Sequence, residues 1–257
     1  MNKNITKIIN MTQFPAVVET SRGTVTFPKA GRPAFLKSVF TDGGTVNGIP
    51  VTNGRLLPEV PGLPEPEEGV LILVPAITGF VLAAAGRDDI LVPGPINRNE
   101  KGQISSYQGL AVPGRENPFK FDAGREGEEP EPLALEGAKI VAAVKHDCTI
   151  LGGANGPTVI PGAGQDARVI EAWVAKGALK IEGEEIQLFS LSYENEIVGL
   201  PEPKDGVFLI VSLVTAQIGG LGRKDLLSPG RMVTDPDDVD SSGRPRIIGA
   251  QGFTRSI

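Results

Sequence analysis

Histidine and cysteine are almost missing from this chain, with one of each, and there is one Trp and only two Tyr. A single cysteine, Cys148, allows no internal disulfide, which fits a reducing compartment. One histidine and one cysteine are also too few to build a zinc site. Basic residues are outnumbered, 25 Lys and Arg against 31 Asp and Glu, for a net charge of -6. A phosphate-backbone binder needs a basic stripe to displace counterions, so nucleic acid is not an expected partner. Long apolar runs are absent too. The longest, Val70 to Ala85, is interrupted by Pro75, Thr78 and Gly79 and is too short to span a bilayer. The first ten residues lack the apolar core and small-residue cleavage pattern of a signal peptide. A location in the cytoplasm, or in a virion if the gene is a phage's, with no membrane partner, is therefore the expectation.

Glycine and proline are plentiful, at 33 and 22 of 257 residues. With so few aromatics, that density of turn formers points to many short strands rather than long helices. The chain also repeats itself. Gly62-Leu-Pro-Glu-Pro66 followed by Gly69-Val70 returns as Gly199-Leu-Pro-Glu-Pro203 followed by Gly206-Val207. Each copy continues with an apolar run, then Arg87-Asp88-Asp89 or Arg223-Lys224-Asp225, then Pro93-Gly94 or Pro229-Gly230. The expected organisation is a first repeat over 1–112, a Pro/Gly/Glu-rich linker over 113–137 and a second repeat over 138–257.

Within each repeat the pattern reads as a β-hairpin (residues 14–27 or 146–160), an extended segment, and a second hairpin around Asn47-Gly48 or Glu182-Gly183. The Gly-Leu-Pro-Glu-Pro turn follows, and then Val70 to Val74 or Val207 to Val211 reads as a strand covered on both faces. A short helix is expected over 76–85 and over 213–221, and a closing hairpin at Gln108-Gly109 and at Gln251-Gly252. The linker has little to bury apart from Phe119 and Phe121, which stand at strand spacing and could pin part of it to a neighbour. The predicted fold is a duplicated, β-rich α+β protein. Each unit is a small antiparallel sheet or partly open barrel carrying one helix.

The most interesting polar residues are Arg87, Asp89, Arg223 and Asp225, because they recur just after the helix in both copies. An Arg and a carboxylate there could grip a ligand or a partner chain, or could brace the helix-to-strand junction as an ion pair. Glu65 and Glu202 also recur, but one per unit between prolines makes no acid/base couple. His146 and Cys148 would share a face of one strand; a catalytic pair there would lack an oxyanion site and would be confined to one half. Asp238, Asp240, Ser242 and Gly243 match the first, third, fifth and sixth positions of a calcium loop, but the twelfth falls on Gly249 instead of Glu. The glycine clusters at 152–156 and 219–222 lack the Lys-Ser/Thr of a phosphate loop and read as turns. No catalytic residue, metal or cofactor is expected.

The Gly-Leu-Pro-Glu-Pro turn, the following Gly-Val strand, the Arg-Asp and Pro residues and the opening Ile9-Asn-Met-Thr12 resemble a group of short uncharacterised bacterial and phage proteins. Those consist of one such unit, usually beginning Asn-Leu-Thr-Pro-His. Here Asn10-Met-Thr-Gln-Phe14 departs from that opening, and only His146 matches its histidine. The resemblance covers both halves but not the linker, and implies ancestry by duplication without transferring a catalytic residue.

Three functions remain open from sequence. The leading one is a non-enzymatic structural or interaction protein, such as a phage virion decoration or assembly component, whose partners are proteins, either itself as a homo-oligomer or a virion scaffold. The second is a small-molecule-binding module, a phage or host-defence regulator, using the Arg/Asp residues. The third is a metal-assisted hydrolase, which would require carboxylates converging in a cleft.

Overall fold

A computed structural model describes residues 5–100, 104–116, 119, 131–219, 223–239 and 245–256. The first repeat supplies β1 (Lys7–Asn10), β2 (Ala16–Thr20), β3 (Gly23–Phe27), β4 (Ser38–Val46), β5 (Ile49–Leu56) and β6 (Val70–Leu73). It continues with α1 (Ala76–Ala84), β7 (Ile90–Pro93), β8 (Ile96–Arg98), β9 (Ile104–Tyr107) and β10 (Leu110–Pro113). After β11 (Leu133–Leu135), the second repeat opens with β12 (Lys139–Ala142), β13 (Cys148–Ile150), β14 (Thr158–Ile160), β15 (Arg168–Ile181) and β16 (Glu184–Val198). It closes with β17 (Val207–Ile210), α2 (Leu213–Gly219), β18 (Leu226–Pro229), β19 (Met232–Val239), β20 (Pro245–Ala250) and β21 (Phe253–Ser256). The protein is α+β and β-rich, with curled sheets that include a half-barrel.

The sequence repeats and the compact units are different partitions of the chain. Unit 1 comprises Met1–Lys37, Pro58–Phe119 and Glu171–Tyr193; unit 2 comprises Ser38–Leu57, Lys120–Ile170 and Glu194–Ile257. Each repeat gives its second hairpin away. Hairpin β4–β5 of the first repeat belongs to unit 2, and most of β15–β16 of the second repeat belongs to unit 1. In unit 1 the strands run β1-β6-β7-β10-β16, and in unit 2 the corresponding run is β12-β17-β18-β21-β5. The registers match: Leu110 pairs with Leu188 and Phe253 with Val51, both in parallel.

The two hairpin tips were legible. Asn47 and Glu182 have φ of 52° and 50°, and Gly48 and Gly183 have 72° and 82°. Positive φ at both central residues is the twist-matched two-residue turn. The closing hairpins at Gln108-Gly109 and Gln251-Gly252 are a correction. Strands β9 and β10 do not pair with each other; β9 joins β2 and β8, while β10 joins β7 and β16, and β20 and β21 part in the same way. Gly109 and Gly252 are glycines because the exchanged hairpin passes there: an added Cβ would collide with the carbonyl of Gln187 or of Pro50 respectively.

The central strands behave as their apolar runs predict. All four residues of β6 are buried, and β6 lies parallel to both β1 and β7, so the sheet is mixed where an antiparallel one was expected. One core cluster of unit 1 gathers Val18, Leu73, Leu110 and Ile186; its counterpart in unit 2 gathers Ile150, Ile210, Phe253 and Val51. In both units the helix is anchored to an upstream loop. The Thr78 hydroxyl donates to the Ala34 carbonyl at 2.9 Å and the Thr215 hydroxyl to the Ala167 carbonyl at 3.1 Å.

Asn10 explains the opening motif. Its side chain, 1% exposed, donates to the Phe14 and Phe27 carbonyls at 3.0 and 2.9 Å and accepts from the Thr12 amide at 2.9 Å. One buried amide thereby ties the end of β1 to the β2–β3 hairpin. The linker, expected to bury little, contributes β11, which pairs parallel to β4, and Phe119, which is 2% exposed. Phe121 lies outside the described residues.

Candidate functional site

The repeated Arg/Asp residues form the same construction in both units. The Arg87 Nε and Nη2 donate to the two Asp89 carboxylate oxygens at 2.7 and 2.6 Å, and Nη2 also donates to the Pro64 carbonyl at 2.9 Å. Arg223 repeats this with Asp225 at 2.7 and 2.7 Å and with the Pro201 carbonyl at 3.0 Å. The backbone carbonyl of each aspartate also accepts from the central strand, from Ile72 or Leu209 at 2.8 Å. Each pair thus ties the Gly-Leu-Pro-Glu-Pro turn to the strand after the helix, with side chains only 12–18% exposed.

The electrostatics follow from that geometry. Hydrogen bonds from Arg223 hold the Asp225 carboxyl below the usual aspartate range, against an opposing effect of burial. Both guanidiniums are raised, by the hydrogen bond to the aspartate first, with burial opposing and Glu65 or Glu202 adding a smaller attraction. The fork-to-fork contact uses the edge of each guanidinium that would grip a ligand carboxylate.

His146 and Cys148 do not form a pair. Cys148 begins β13 buried, His146 precedes the strand and is exposed, and burial pushes the thiol pKa up, away from the thiolate a nucleophile needs. Ala16 holds the corresponding place in unit 1. Among the described residues, no three His, Cys, Asp or Glu side chains converge to hold a metal. Of the calcium pattern, Asp238 is ion-paired with Arg246 at 3.1 Å, while Asp240, Ser242 and Gly243 lie outside the described residues. Gly152 to Gly156 is a turn, with the Gly156 amide donating to the Gly153 carbonyl at 3.0 Å; Gly220 to Gly222 lie outside the described residues. Among the described residues no helix is long and apolar enough to cross a membrane.

A concavity that no sequence motif marked lies within unit 2. It is a half-open groove of about 980 Å³ walled by β5, β21, α2 and the turn after β18. Strand alternation orders most of β5: Val51 packs in the core, while Pro50, Thr52, Gly54 and Leu56 line the groove, and Arg55 joins them from outside that alternation. Gln217 of α2 donates to the Ser256 hydroxyl at 3.0 Å, and the Thr52 and Thr254 hydroxyls lie 3.2 Å apart. Phe40, 60% exposed, also lines the groove, as do Arg55 and Arg231. Among the described residues, no aspartate or glutamate lines it.

The corresponding place in unit 1 is filled. By strand register and helix position, Thr52, Gly54, Leu56 and Gln217 correspond to Phe189, Leu191, Tyr193 and Phe80. The Phe80 and Tyr193 rings lie 5.1 Å apart, and Phe119 from the linker meets them at 5.8 and 5.7 Å. Burial first, and the Glu171 carboxylate second, push the Tyr193 phenol pKa upward. Duplicated backbone has therefore become a packed aromatic cluster in one unit and an open groove in the other. The signal in the sequence was the exchange of Phe80 for Gln217 at matching helix positions, legible only once the two helices are aligned.

No protein-family model, curated protein or solved structure matches the chain.

Proposed function

We propose that this is a non-enzymatic interaction protein whose working surface is the groove of unit 2. The observation that carries the reading is the divergence of the two units: the groove is open and basic in unit 2, and its counterpart in unit 1 is filled by Phe80, Phe119 and Tyr193. The repeated polar residues support the same reading, because Arg87 and Arg223 direct their forks at Asp89, Asp225 and two backbone carbonyls instead of outward. They act as braces. The resemblance to bacterial and phage single-unit proteins makes virion decoration or assembly the proposed setting, with a protein as partner.

Native mass spectrometry of the purified protein tests this. The expected result is a protein species of defined stoichiometry without a bound small molecule. A stoichiometric small-molecule mass would replace the reading with a ligand-binding module. If that mass disappeared with Arg87→Ala and Arg223→Ala while the melting temperature held, the ligand would lie on the Arg/Asp pairs.

A further inference from the structure

We infer that the groove of unit 2 receives an aromatic side chain on an acidic segment of a partner protein; this rests on the interaction-protein reading above. The molecule contains its own precedent. In unit 1, the chain leaving β10 runs alongside β16, with the Gly114 amide donating to the Leu191 carbonyl at 2.9 Å. Five residues later it places the Phe119 ring against Phe80 and Tyr193. A segment that leaves the strand and brings a phenylalanine back five residues after Gly114 is thus what this place accommodates in unit 1.

In unit 2 the positions corresponding to Phe80 and Tyr193 are Gln217 and Leu56, and both line the open groove. The smaller side chains leave room for a ring between them. At Gly54 a Cβ would meet the Thr254 methyl at 2.6 Å and the Phe40 ring at 3.2 Å, so those two side chains cover the position from which Leu191 projects in unit 1. Paired hydroxyls at Thr52 and Thr254 and the Gln217 amide offer hydrogen bonds to a passing backbone.

Charge selects the flanks of the segment. Arg55 and Arg231 line the groove, and among the described residues no carboxylate joins them in its walls, on a chain whose net charge is -6. Their counterparts in unit 1, by strand register, are Ser192 and Pro95, so the positive charge belongs to the open groove and not to the shared scaffold. Local positive potential on an acidic protein favours carboxylates beside the aromatic anchor and disfavours basic segments. A buried aromatic with a charged rim is the usual distribution of energy in such contacts.

The test uses the full chain and a synthetic peptide, acetyl-Gly-Asp-Glu-Asn-Pro-Phe-amide, which is the Gly114 to Phe119 segment with Asp in place of Arg115. Amide chemical shifts of the protein are followed during titration. The expected result is saturable change confined to the groove, centred on Thr52, Gln217 and Thr254, and lost when the peptide's Phe is replaced by Ala. Gln217→Phe and Thr52→Phe, which import the residues of unit 1, should each abolish binding. Arg231→Glu, at an exposed position that leaves packing untouched, should weaken it about tenfold or more. Absence of saturable shifts at millimolar peptide, or binding that survives both groove-filling variants or the loss of the peptide's Phe, overturns the assignment. Native mass spectrometry of the same samples separates the failures. A dimer abolished by Gln217→Phe would give the groove to a second copy of the chain and overturn the partner assigned here. A retained small-molecule mass would overturn the interaction-protein reading as well.

Discussion

Replacing Phe119 by alanine removes a ring that is 2% exposed and that meets two other rings at 5.7–5.8 Å. Phe→Ala at a buried site costs about 3–5 kcal/mol, combining lost transfer free energy with the residual cavity. Edge-to-face contacts contribute about 0.5–1.5 kcal/mol each to such a total, and both Phe119 contacts are of that kind, with interplanar angles of 70° and 72°. Little collapse is available to close the cavity, because Phe80 is fully buried on α1 and Leu191, beside Tyr193 on β16, is 1% exposed. A loss near 4 kcal/mol is therefore expected, a large share of the roughly 5–15 kcal/mol that stabilises an ordinary domain. The assay is urea unfolding followed through Trp173, the only tryptophan, which packs edge-on against Phe189 in unit 1 with centroids 6.3 Å apart. The variant should show a lower midpoint with an unchanged slope, and Phe119→Leu should recover part of the loss. A midpoint shift worth less than about 0.5 kcal/mol, the range of ordinary surface substitutions, would refute the conclusion that the linker phenylalanine completes the core of unit 1.

Asp225→Asn should destabilise by about 1–3 kcal/mol at neutral pH, between the values for exposed and fully buried pairs. Because the folded-state pKa of Asp225 is depressed, the aspartate's contribution is fully present above its unfolded value of about 3.9. It is lost as pH falls through the folded-state value, so the gap between urea midpoints of wild type and variant should close below about pH 4; a gap independent of pH would argue against the bidentate pair. Cys148 should resist a thiol reagent in native buffer and react promptly in denaturant, since burial both hides it and raises its pKa. Rapid native labelling would place it outside the core. A protease site introduced between Gly124 and Glu128 should yield halves that co-elute after cleavage, because each carries a hairpin belonging to the other's unit; clean separation in native buffer would contradict the exchange.

Much of the local structure was legible because it depends on neighbours in sequence. The turn residues at Asn47-Gly48 and Glu182-Gly183 require positive φ, and both hairpins form there. The apolar runs at 70–74 and 207–211 became buried strands because nothing polar in them needs water. The duplication appeared as a repeated motif, and each Arg/Asp pair turned out to be built like the other. The closing hairpins misled because Gln-Gly between two apolar segments looks like a tight turn, while strand pairing is settled by partners far away in the chain.

The sequence by itself determined a duplicated, β-rich chain, the positions of its turns and central strands, and a net charge of -6. Tertiary structure alone decided which hairpin completes which unit, since a repeated sequence offers each sheet two nearly equivalent partners and pairing energy depends on register, not on chain order. It alone decided that Phe119 belongs to a core, and that matched backbone positions close over aromatic rings in unit 1 and stay open in unit 2. Whether a concavity is filled depends on the summed volume of side chains arriving from separate segments, and that sum exists only once the segments meet.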